Sequence, residues 1–78
     1  MTFGKALKKL KKGWKVARSG WNGKGMWLRL VIFPDGIDPD TGYENRPYIE
    51  MKTADDQLVP WVASQTDMLA EDWETVED

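Results

Sequence analysis

"MWLRLVIF", residues 26–33, is the stretch on which the fold turns. In an extended chain Met26, Leu28, Leu30 and Ile32 fall on one side and Trp27, Arg29, Val31 and Phe33 on the other, which predicts a strand with one apolar and one mixed face. A lone strand is not stable, and the flanking sequence supplies its neighbours. Trp14 to Arg18 alternates as a short strand, Arg46 to Thr53 as a longer one, and Trp73 to Val76 as the last. Ala54 to Gln57 reads as a turn into a strand from Leu58 to Val62, which Pro60, having no N–H, confines to a sheet edge or a bulge.

A sheet with one apolar face needs a cover. Thr2 is a good N-cap, and Phe3, Ala6, Leu7 and Leu10 recur at helical spacing with Lys5, Lys8, Lys9, Lys11 and Lys12 on the other side and Gly13 as the stop. The apolar stripe is too narrow to favour a membrane surface over packing on the sheet. Ser64-Gln65-Thr66-Asp67 has the form of a capping box opening a short helix through Ala70. The expectation is an α+β fold forming a single domain over residues 1–78: an N-terminal helix packed on a small antiparallel sheet, with a short helix near the C-terminus. Between the first two strands, Asn22-Gly23 predicts a tight two-residue turn with both residues at positive φ. Residues 34–45, "PDGIDPDTGYEN", with two prolines, two glycines and three aspartates, read as a surface loop.

Composition narrows the function classes. The 78 residues contain neither cysteine nor histidine, so disulfides, the common zinc spacings and the usual nucleophile and base pairings are excluded. No metal and no cofactor is expected. Among acids, Asp55-Asp56 and Glu71-Asp72 are the candidates for acid–base chemistry, but adjacent acids in turns and at helix ends are ordinarily solvated, so an enzyme is disfavoured. A core this thin calls for a partner subunit, which predicts a homo-oligomer. Arg29 interrupts the longest apolar run and the lysines of residues 1–13 are interleaved with apolar residues, so neither a membrane span nor a secretion signal is expected, and the default compartment is the cytoplasm.

Charge is divided along the chain. Residues 1–30 carry nine basic side chains and no acid, whereas residues 31–78 carry two basic and thirteen acidic ones. The two halves either face each other, within or between subunits, or present a basic surface to phosphate. Five tryptophans exceed what so small a core ordinarily buries, and indoles stack on bases. In "RSGWNGKGMW", residues 18–27, glycines allow close approach, Trp21 offers a ring, and Arg18 or Lys24 offers charge to phosphate; the alternative is a hairpin whose tryptophans close the core. In "VPWVASQTD", residues 59–67, Trp61 sits beside a helix N-terminus whose free amides favour anions, or is a core ring beside an ordinary cap. A single-strand nucleic-acid binder would want the same groups, but the net charge of -2 argues against a polyanion, and a protein-partner module is the remaining alternative.

The stretches "MTFGKALKKLKKGWKVARSGWNGKGMWL" and "RPYIEMKTADDQLVPWVASQTDMLAEDWE" resemble the small phage and prophage family that includes the second type of Thoeris anti-defence protein, over nearly the whole chain. The resemblance implies a non-catalytic sponge acting in the cytoplasm of the infected bacterium. Such a sponge sequesters a cyclic ADP-ribose isomer, glycocyclic ADP-ribose for example, or a cyclic dinucleotide, as a homotetramer with ligand sites between subunits. The resemblance places Trp21, Asn22, Met26, Arg46, Trp61, Ser64, Gln65, Thr66 and Asp67 at the ligand; to these we assign roles by their chemistry, expecting the indoles of Trp21 and Trp61 to stack on adenine, Arg46 to meet the pyrophosphate, and Asn22 with Asp67 to meet ribose hydroxyls. Two departures stand out: the segment "LVIFPDGIDPDTGYENRP" is a short form of a variable loop, and Asp56 stands where a glycine is expected in the hairpin turn.

Overall fold

Strand β2 (Trp27–Val31) occupies the centre of a five-stranded antiparallel sheet ordered β4-β3-β2-β1-β5 in the computed structural model, which describes residues 1–77. The final residue of the unit expected over 1–78 lies outside the described residues. Its partners are β1 (Lys15–Arg18) and β3 (Tyr48–Lys52); β4 (Leu58–Pro60) and β5 (Trp73–Val76) form the two edges. Leu28 stands opposite Val16 on one side and Met51 on the other, so these side chains share one face. Pro60 sits on the edge strand, where its missing N–H leaves no ladder bond unmade. Each of the first four strands is shorter than its alternation predicts; Ile32, for one, lies beyond the ladder and is 54% exposed.

Helix α1 (Phe3–Lys11) covers the apolar face, with Thr2 accepting the Lys5 N–H as N-cap and three lysines in the last turn facing the negative end of the dipole. Ala6 and Leu10 are fully buried against Val16, Leu28 and Trp73, and this five-residue cluster is the core. Trp73 is 2% exposed, so the largest side chain available fills the space between helix and sheet. The N-terminal residue ties the helix to the edge: the Met1 amine donates to the Trp73 carbonyl at 2.7 Å, and the Trp73 N–H donates to the Met1 carbonyl at 3.1 Å.

Helix α2 (Gln65–Leu69) begins as the capping motif predicts, with the Ser64 hydroxyl accepting the Asp67 N–H at 3.1 Å. The connection between β1 and β2 corrects the sequence reading. Neither Asn22 nor Gly23 has positive φ; Gly25, at 74°, supplies it, and residues 19–26 form a wide loop rather than a two-residue turn. The cause lies in tertiary contacts that a tight turn would break, described below. Asp56 takes φ of 62°, the left-handed conformation of the glycine it stands for, and its carboxylate reaches Lys52 Nζ at 2.7 Å. Residues 34–45 are indeed a surface loop, folded back on itself by an isolated bridge between Ile37 and Glu44.

Candidate functional site

Trp73 anchors an aromatic cluster. The ring of Trp21 meets it edge-on at 5.4 Å, that of Trp61 edge-on at 6.0 Å, and Phe3 lies tilted against both Trp73 and Trp61. Edge-to-face contacts suit the ring quadrupoles and leave the outer parts of Trp21 and Trp61, both half-buried, uncovered. The two indoles that the sequence singled out are therefore part of the core margin and part of the surface at once.

Beneath Trp21 lies a polar cluster. Arg18, at the end of β1, donates from Nε to Asp72 at 2.8 Å and from Nη1 to Asp67 at 2.9 Å. The same Asp67 oxygen accepts the Trp21 indole N–H at 3.2 Å. Asp72 also receives the Gly20 N–H at 2.8 Å, and its carbonyl receives the Ser19 N–H at 3.1 Å. Loop residues 19–21 are thus each tied to one of two acids, which is why the backbone cannot close at Asn22-Gly23.

The electrostatics follow the contacts. Hydrogen bonds to Asp72 and then Asp67 hold the Arg18 guanidinium above its ordinary value, against some desolvation. For Asp67 desolvation is the largest influence and pushes its carboxyl up, but the bonds from Arg18, Trp21 and Ser64 together outweigh it and leave it below the usual carboxylate value. Asp72 is lowered chiefly by Arg18, with burial opposing and the Gly20 N–H assisting.

The rest of the loop is differently placed. Met26 packs under the turn, so close that a Cβ on Gly23 would stand 2.5 Å from its sulfur and 2.8 Å from the Ala54 Cβ. Lys52 Nζ donates to the Gly25 carbonyl at 2.7 Å, tying the loop to the neighbouring hairpin. Asn22 and Lys24 are exposed, and Lys24 makes no ion pair among the described residues. Ser64, Gln65 and Thr66 are exposed at the start of α2, a helix of five residues whose cap is already filled by Ser64.

A second region lies along α1. An apolar groove of about 670 Å³ runs between Phe3 and Leu7 on one wall and Leu30, Ile49 and Trp61 on the other, with Lys11 and Pro47 in its lining. Arg46 precedes Pro47 and is exposed at the β2–β3 connection, the opposite end of β2 from the loop that carries Trp21. The structure therefore brings Trp21, Asp67, Ser64 and, through Trp73, Trp61 together, and leaves Arg46 apart from Trp21 within one chain. Part of the charge division is resolved internally, since Arg18 pairs with Asp67 and Asp72 and Arg29 with Glu50. Asp55, Asp56 and Glu71 are exposed, and no group of three or more potential metal-ligating side chains occurs among the described residues. Sequence reasoning missed Trp73 and Asp72 as site-building residues, because a strand-initial tryptophan and one acid among thirteen carry no signal of burial or pairing.

The family model described as Thoeris anti-defense 2-like domain matches residues 1–76. The chain belongs to that family. It is also 47% identical over 85 residues to a protein of Bacillus phage SP01 named Thoeris anti-defense 2, a match covering 97% of this chain and 94% of the relative. The alignment is longer than the 78 residues present here, so the relative carries extra residues within it. No helix among its described residues is long and apolar enough to cross a membrane.

Proposed function

We propose that this protein is a non-catalytic inhibitor of Thoeris immunity, encoded by a phage and acting in the cytoplasm of the infected bacterium, that binds and sequesters a cyclic nucleotide signal. The observation that carries the reading is the pair of indoles, Trp21 and Trp61, held edge-on by one buried tryptophan with part of each ring left open. Rings fixed in this way stack on a base without losing freedom on binding, and exposed Asn22 and Lys24 beside Trp21 suit ribose hydroxyls and phosphate.

Arg46 is assigned to the pyrophosphate from a second copy of the chain, because within one copy it lies at the far end of β2 from Trp21. The functional unit is accordingly a homo-oligomer, a tetramer by the family resemblance, with its ligand a cyclic ADP-ribose isomer or a cyclic dinucleotide. Ser64, Gln65 and Thr66 at the exposed start of α2, with Met26 supporting the loop, complete the proposed surroundings.

The test is retention. Protein incubated with glycocyclic ADP-ribose, washed and then heated should release the compound intact, as read by mass spectrometry. A cleaved product would make the protein an enzyme, and no retention of any cyclic nucleotide would reject the reading in favour of a partner-binding or single-strand-binding module. Trp21→Ala should weaken binding by about 1–3 kcal/mol by calorimetry.

A further inference from the structure

We propose that Arg18 is a positioning residue and not a phosphate contact: through Asp67 and Asp72 it fixes the plane of Trp21 and the path of the loop that carries it. The proposal rests on the function given above for Trp21 and adds a limit on what that ring can recognise.

Arg18 is a cation by residue type, but its charge is already spent. Its side chain is 17% exposed, and its Nε and Nη1 are committed to two different carboxylates. One guanidinium against two carboxylates leaves the cluster with a net negative charge, and a phosphate approaching it meets repulsion. The cations left for phosphate on this side are those without carboxylate partners, such as Lys24.

The same bonds act as a bracket. Asp67 is held by the Ser64 hydroxyl at its N–H, by the Trp73 indole at its carbonyl, and by Arg18 at its carboxylate, and only then does it accept the Trp21 indole at 3.2 Å. Asp72 holds Gly20, and the space is so close that a Cβ on Gly20 would lie 2.7 Å from its Oδ2. Trp21 therefore has no N–H left for a ligand. It offers a ring face alone, so the indole stacks on a base without reading the base's edge.

A planar fork joins two carboxylates in fixed directions and an ammonium does not, which separates positioning from charge. Arg18→Lys keeps the charge and removes the fork; Arg18→Met removes both. The Trp21 indole N–H signal, assigned by its loss in Trp21→Phe, is followed by nitrogen–proton NMR, and affinity for glycocyclic ADP-ribose is measured by calorimetry. Arg18→Lys should shift the Trp21 signal and weaken binding by about tenfold or more, as loss of an outer-shell partner commonly does. Arg18→Met should likewise shift the Trp21 signal and weaken binding, since it removes the fork together with the charge.

Wild-type affinity and an unmoved indole signal in Arg18→Lys would overturn the proposal. If the Arg18 variants do not fold, Asp67→Asn puts the same question to the indole: a signal unmoved there overturns it equally. A wild-type protein that retains no cyclic nucleotide rejects the function assigned to the site, whereas the indole signal in the variants still reports whether Arg18 holds the ring.

Discussion

The indole N–H of Trp73 donates to the backbone carbonyl of Asp67 at 2.9 Å, so the ring at the centre of the core also fixes the helix turn whose carboxylate holds Trp21. Core and site are thus one structure, and damage to the first should reach the second.

Trp73→Ala empties a position that is 2% exposed and removes three ring contacts, and should lower stability by about 3–5 kcal/mol in urea unfolding. Trp73→Phe keeps one ring but loses the hydrogen bond and part of the buried volume, and should cost about 1–3 kcal/mol, less than Trp73→Ala. Equal losses in the two variants would show that the ring does not pack as described.

Acid should unfold the protein through the Arg18 cluster. The carboxyls of Asp67 and Asp72 lie lower in the folded chain than in the unfolded one, so their contribution is fully present above the unfolded value of about 3.9 and is lost as pH falls below it through the folded values. Urea midpoints measured from pH 6 down to the acid limit should fall in that window, and Asp67→Asn should show a shallower decline; an identical slope in the variant would remove Asp67 from the account.

Two glycines should respond oppositely to alanine. At Gly23 a Cβ would stand 2.5 Å from the Met26 sulfur and 2.8 Å from Ala54, and Gly23→Ala should cost about 1–3 kcal/mol by urea unfolding. Gly4 lies in α1 with only the Thr2 hydroxyl, at 4.0 Å, near its notional Cβ, and Gly4→Ala should stabilise by about 0.5–1 kcal/mol. A stabilising Gly23→Ala would mean that the loop opens away from the hairpin.

Local signals were legible where local physics decides. The spacing of Phe3, Ala6, Leu7 and Leu10 produced α1, alternation from Met26 produced the central strand, Pro60 fell on an edge, and Ser64 became a cap. Each of these depends on groups a few residues apart.

Asn22-Gly23 marks the limit of that approach. The dipeptide has the right chemistry for a tight turn, but Asp67 and Asp72 lie 46 and 52 residues along the chain from the Trp21 and Gly20 they hold, and their bonds outweigh the local preference. The sequence by itself determined the helix, the alternation of the strands, the absence of thiol and imidazole chemistry, and the unequal charge of the two halves. Only the tertiary structure decided that Arg18 faces two acids instead of solvent, that Trp73 is the ring to be buried, and that Arg46 stands at the far end of β2 from Trp21. Burial and pairing are properties of what packing brings near a side chain, and packing joins residues whose separation along the chain carries no periodic signal.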